Sequence, residues 1–330
     1  MKGFWVSIAT LFALFLSAFN FNCSPGGGSR SAEQQTLNPP NRPPDIQTID
    51  KSICWFPAKT PGEIKGVALV IHGLNLRPDK MELIISLLTD SGVDALNLSL
   101  RGHGSNYSPS EGPDMAKSRI EAFKTVSYKI WIEETYQAYN HAKKRSEQKN
   151  VPLFFVGFSL GGLLGVDLYT TYSDIHFDRM VLFAPAVDLY AINYAAKLLS
   201  PFPKLVVPSL ASKSYRANNG TPVAAYNALF NAIEHFRKNL NPKLNVPTLI
   251  LIDKRDELVS YYKLKRLVEN ERLHQWKFYH IQKGKDAVRG TLRHLIIDES
   301  SVGKEMWKEM RRAMVEHLLP LRHFSIHMQP

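Results

Sequence analysis

The chain has 330 residues, 44% of them hydrophobic, enough to bury the core of one large α/β domain with an insertion, or of two smaller domains. Its net charge of +11 is spread over bases interleaved with acids, with one tight cluster at Lys143, Lys144 and Arg145. There is no RNA-reading motif and no metal-finger spacing, so no nucleic-acid partner is expected and the charge favours anionic lipid surfaces.

The amino terminus, "MKGFWVSIATLFALFLSAFNFNC", places Lys2 before an uncharged apolar run and polar residues around Cys23. That is the layout of a secretory signal, assigned to residues 1–22. Residues 23–51 are rich in Pro, Gly, Ser and Asn and bury too little apolar surface to order themselves, so they read as a flexible tether. A signal followed directly by Cys23 resembles a bacterial lipoprotein, in which that cysteine carries the lipid. Asn20, Phe21 and Asn22 depart from the usual lipobox, and cleavage elsewhere or retention as an uncleaved anchor are the alternatives. The expected location is the cell envelope, lipid-anchored, with a secreted or periplasmic protein as the alternative. Cys54, in "SICWFPA", reads as a small core residue of an early strand. With only these two cysteines, lipidation of Cys23 leaves Cys54 alone and no disulfide framework is possible; without lipidation, a Cys23–Cys54 bridge would staple only the tether.

Six short apolar runs then follow: 66–73, 94–100, 152–158, 179–185, 246–253 and 276–282. They are near-continuously apolar and end on Gly, Pro, Asp or Ser, as parallel strands covered on both faces do. The intervals "PDKMELIISLLTDSG" and "VSYKIWIEETYQAYNHAKKR" carry helical periodicity. The expected fold class is therefore α/β, a mostly parallel doubly wound sheet, with core segments at 52–186 and 241–330. Residues 187–240 are far more than a crossover needs and hold two helical patterns, "YAINYAAKLLSPF" and "PVAAYNALFNAIEHFRKNL". They read as a helical lid insertion, the alternative being an enlarged helical layer without a role over the site.

The strand "PLFFVGF" runs directly into "SLGG" and a helical pattern. G-x-S-x-G alone is weak, arising by chance in about one chain in ten of this length. Between a buried strand and a helix it describes a sharp elbow that pushes Ser159 outward, with Gly157 and Gly161 letting neighbouring backbone pass. The helix N-terminus beneath it favours a developing oxyanion.

A serine hydroxyl needs a histidine to take its proton and an acid to orient that histidine. "LILIDKRDELVS" offers Asp256 in the loop after a strand, with Asp253 and Asp188 as alternatives and Glu257 facing solvent or capping the next helix. Six histidines follow; His294, after the loop "KGKDAVRGTLR", is the expected base. His274 is the sixth candidate, His280 and His317 read as structural, and His323 and His327 belong to a polar tail. In "VIHGLN", Gly73 turns the backbone so that the Leu74 N–H can join that of Leu160 as an oxyanion hole, each donor worth about 3–4 kcal/mol in the transition state. His72 reads as a structural hydrogen-bonder, and "SLRGHGSN", with Arg101 and His103, as a brace around the pocket.

Taken together, "VIHGLN", "LRGHGSN", "GFSLGG", "KRDELVS" and "HLIID" resemble the α/β-hydrolase superfamily over about residues 52–318. The resemblance is to its monoacylglycerol lipase, lysophospholipase and serine aminopeptidase-like branch. It differs in having Phe158 before the serine, where that branch often has histidine. The resemblance implies carboxylic ester hydrolysis on a lipid-like ester through a Ser159–His294–Asp256 acyl-enzyme mechanism, without cofactor or metal. Peptide cleavage would need acidic groups near the substrate amine, and nothing marks them. The alternative function is a catalytically silent surface lipoprotein that binds a lipid or host ligand.

Overall fold

The computed structural model describes residues 52–320, apart from 61, 63, 108–113, 210 and 289. The signal segment 1–22, the tether with Cys23, and the tail with His323 and His327 lie outside the described residues.

The chain enters through strand β1 (Ile53–Phe56), where Cys54 is half-buried. β2 (Gly66–Ile71), β3 (Val93–Leu98), β4 (Leu153–Phe158) and β5 (Arg179–Phe183) follow. β2, β3 and β4 are buried at every position, because helices cover both faces of the sheet. β8 (Thr248–Ile252) and β9 (Trp276–His280) complete a seven-stranded sheet in the order β1-β3-β2-β4-β5-β8-β9. β1 lies antiparallel to β3, and every other pairing is parallel. All six expected apolar runs form strands, and the mostly parallel α/β-hydrolase sheet is the fold observed.

A 3-10 turn at Pro78–Met81 leads into helix α1 (Glu82–Asp90). Helix α2 (Met115–Phe123), which the apolar periodicity does not signal, is capped by Asp114, whose carboxylate accepts the Ala116 and Lys117 N–H groups. α3 (Tyr128–Lys149) buries Trp131, Ile132, Thr135, Ala138, Tyr139 and Ala142, the 3–4 spacing of one helical face. It ends on Asn150 in the left-handed conformation, φ 52°. α4 (Leu160–Thr171) is buried on nearly all sides, because it lies between the sheet and both neighbouring helices.

Within the expected insertion, the second helical pattern forms α5 (Val223–Lys238), which packs against α4 and α3 and buries Leu229, Phe230, Ile233 and Phe236. The first pattern is a 3-10 run, Ala191–Leu199, and not the α-helix its composition suggests. Tyr194 stacks on Phe230 at 5.3 Å, and Lys197 lies 5.5 Å from the same ring. A repeat of three residues sets those two side chains directly above one another, which the α-helical period does not. A short antiparallel ribbon, β6 (Val206–Pro208) with β7 (Gly220–Pro222), joins the two parts. After β8 comes α6 (Tyr261–Asn270), and after β9 a short α7 (Glu299–Val302) and the terminal α8 (Lys304–Leu318). α8 and α1 meet through Leu87, Leu88, Met314 and Leu318.

Candidate active site

Ser159 follows β4 directly and caps α4, with φ 52° and ψ −112°, a strained combination for a residue with a Cβ. Its N–H donates to the Phe183 carbonyl at 2.9 Å, and its own carbonyl accepts from Leu163 and Ala186. These bonds to β5 and α4 hold the strain in place. A Cβ on Gly161 would run into the Ile71 and His72 carbonyls, so β2 can approach this closely only because Gly161 has none. Ser159 is half-exposed at the carboxyl edge of the sheet, where a parallel sheet gathers its ligands.

His294 and Asp256 meet there. The His294 Nδ1–H donates to Asp256 Oδ2 at 2.7 Å, and Nε2 lies 2.8 Å from Ser159 Oγ. That tautomer leaves Nε2 to accept the serine proton. Asp256 is 2% exposed, and its other oxygen accepts the Leu258 and Val259 N–H groups at 2.7 and 2.8 Å. The carboxylate is therefore fixed by backbone on one side and by imidazole on the other. Phe158 packs on the His294 ring, centroids 5.1 Å apart.

Asp253 and Asp188, the alternatives for the acid, are committed elsewhere. Asp253 accepts the Arg255 N–H and pairs with Arg293 at 3.3 Å. Asp188 pairs with Lys263 at 3.1 Å and Arg237 at 3.4 Å. Glu257 is exposed, as one of its two expected placements has it, and does not cap the next helix. Ser260 caps α6, while the Glu257 carboxylate, on an exposed residue, accepts the Arg293 and His294 N–H groups at 3.0 and 3.2 Å. Lys283 was not singled out from sequence, yet its ammonium donates to the Leu292 and Leu295 carbonyls, 2.6 and 2.8 Å away. These two partners are backbone atoms, so no side-chain pattern in the sequence announces them.

Leu74 sits in a turn closed by the Leu76 N–H on the Gly73 carbonyl. Gly73 is needed for close approach: a Cβ there would stand 2.7 Å from the Phe158 ring. The left-handed position of the turn is taken by Asn75, φ 53°. His103 Nε2 accepts the Asn75 N–H at 2.9 Å, while its Nδ1–H faces the Leu100 and Arg101 carbonyls. His72 donates from Nδ1 to the Gly73 carbonyl and accepts the Leu100 N–H on Nε2. Burial pulls His72 down to about 4 and His103 well below the usual imidazole range, so both rings are neutral struts. Arg101 bonds to Glu134 through its backbone N–H and its guanidinium.

From the other side, residues 215–218 grip the same turn. Ala217 N–H donates to the Asn75 carbonyl, and Arg77 N–H to Tyr215. The Asn218 N–H reaches Asn75 Oδ1 at 2.9 Å, and the Asn218 side chain donates to the Gly102 carbonyl. Leu160, the first residue of α4, has an N–H with no acceptor inside the helix. Leu160 follows Ser159 directly, and Leu74 follows Gly73, where an added Cβ would stand 3.2 Å from the Ser159 Cβ.

Residues 62–219 match the family model described as serine aminopeptidase, S33. No curated protein matches the chain. Among solved structures, the chain is similar to a soluble variant of monoglyceride lipase from Saccharomyces cerevisiae, with 15% identity, a TM-score of 0.63, and coverage of 88% of this chain and 99% of that one. It is also similar to the monoacylglycerol lipase of Paleococcus ferrophilus, at 19% identity and TM-score 0.55, covering 80% and 98%. One of the two metagenome-derived lipolytic enzymes LipS and LipT aligns at 18% identity and TM-score 0.60, covering 79% of this chain and 96% of that one. Identities this low speak for the fold. By that likeness the chain has an α/β-hydrolase fold, and its residues 62–219 are similar to the serine aminopeptidases of family S33.

Proposed function

We propose that the chain is a serine carboxylic ester hydrolase acting on lipid-like esters of the monoacylglycerol or lysophospholipid class. The observation that carries this reading is the unbroken hydrogen-bonded line from Ser159 Oγ through His294 to Asp256. Ser159 attacks the ester carbonyl as His294 Nε2 takes its proton, and the imidazolium is held by Asp256. The oxyanion is received by the Leu74 and Leu160 N–H groups. His294 returns the proton to the departing alcohol, and water, deprotonated by the same nitrogen, releases the acyl group.

A lipid-like substrate is supported by the lipase and esterase descriptions of the structural neighbours, and by exposed apolar Leu198, Phe202 and Leu205 in the insertion. In this reading the insertion, residues 187–240, supplies the lid through its part before α5. Lipidation of Cys23 would place the enzyme at an envelope membrane, where its substrate is concentrated.

Hydrolysis of a chain-length series of p-nitrophenyl esters and monoacylglycerols tests the proposal. Ser159→Ala is expected to lower kcat by at least about a thousandfold. Equal inertness of wild type and variant would favour a lipid-binding protein, and turnover confined to aminoacyl amides would favour a peptidase.

A further inference from the structure

Among its described residues, the loop that carries His294 has no regular secondary structure between β9 and α7. A proton-transferring ring must nevertheless stay within about 0.5 Å of its working position. Two side chains supply what a backbone ladder would. On one side the Lys283 ammonium donates to Thr291 Oγ1, the Leu292 carbonyl and the Leu295 carbonyl, at 3.3, 2.6 and 2.8 Å. On the other the Glu257 carboxylate accepts the Arg293 and His294 N–H groups. Donor and acceptor thus grip five consecutive residues centred on position 293, with opposite polarity matched to the backbone groups that each meets.

Lys283 is half-buried, and burial draws it down to about 8 even though Glu257 and Asp253 favour its charge. Glu257 adjoins Asp256, so the loop after β8 holds His294 twice, by side chain and by backbone. Asp253 adds a third tie through Arg293.

We propose that Lys283 and Glu257 are positioning residues, a two-sided clamp that sets the placement of His294 against Ser159. The inference rests on the reading of His294 as the proton carrier, and its test separates the two. In the full-length protein, Lys283→Met and Glu257→Ala lower kcat on p-nitrophenyl butyrate by about 10- to 100-fold, with KM within about twofold. Lys283→Arg, which keeps donors in the loop, recovers most of the rate. Thermal midpoints stay close to wild type, since Glu257 is exposed and Lys283 half-buried, and neither is part of the hydrophobic core. Glu257→Gln, which keeps the side chain's shape, serves if Glu257→Ala fails to fold.

The low-field proton NMR signal of His294 Nδ1–H reports the same placement without turnover. It is expected in wild type and Lys283→Arg and to broaden or vanish in Lys283→Met. Rates within twofold of wild type in both Lys283→Met and Glu257→Ala would overturn the clamp, as would losses that track the melting temperature without rescue by arginine. If wild type cleaves no ester, the signal alone decides. Its loss in Lys283→Met then keeps the clamp while the ester reading falls, and its persistence in both variants ends the clamp.

Discussion

His72 and His103 each use one ring nitrogen to donate to a carbonyl and the other to accept a backbone N–H. Such a ring cannot take a second proton without losing its acceptor, and this fixes the sign of a pH effect. An unfolded histidine titrates near 6.5, whereas folded His72 titrates at about 4. Above pH 6.5 both states are neutral and the fold has its full stability. As pH falls from 6.5 toward 4 the unfolded chain gains protons that the folded chain refuses, and His72 alone is expected to cost up to about 3 kcal/mol. His103 acts in the same direction. Urea titrations at pH 7, 6 and 5 check this, and unchanged stability across that range would contradict it. At this scale the site was largely legible: Ser159 by its strand-to-helix elbow, Asp256 and His294 by their loops after later strands. Glu257 and Lys283 were not, because what they bind is the main chain of a loop whose path only the folded protein defines.

Among elements, the strands were readable because burial on both faces leaves apolar runs with clear ends. The helical segments were less so. α2 is capped by Asp114, and the Ala191–Leu199 run, wound as a 3-10 helix, sets Tyr194 and Lys197 against Phe230, 31 residues beyond Leu199. α5 shows how a segment read as insertion belongs to the helical layer. Its His235 Nδ1 lies 2.9 Å from Asp167 Oδ1 on α4, and Tyr128 on α3 donates to Asp167 Oδ2 at 2.7 Å. Thr170 also donates to this buried carboxylate, whose titration burial pushes upward. Removing one donor leaves the carboxylate partly unsatisfied. Tyr128→Phe is therefore expected to destabilise the fold by about 1–3 kcal/mol in urea unfolding, with ester kinetics at 25 °C unaltered. A change below a few tenths would mean that the three helices are held by packing alone.

At the scale of the whole molecule, the +11 charge and the leading segment bear on location. No helix among the described residues is long and apolar enough to cross a membrane; attachment in our reading is through Cys23. Metabolic palmitate labelling in a bacterial host is expected for wild type and lost in Cys23→Ala; unchanged labelling in the variant would remove the anchor from the proposal.

The grip of residues 215–218 on the Gly73–Leu76 turn has a consequence for redesign. In a modular enzyme the substrate-selecting insertion could be exchanged between relatives while the catalytic machinery stayed untouched. Here Asn218 is tied at once to Asn75, to Gly102 and to Arg119, and Tyr215 reaches across to Asp298 beyond His294. A chimaera that replaces this stretch without replacing Asn75 and its partners would disturb the turn that carries Leu74, so that in our reading selectivity and rate have to be re-engineered as one unit.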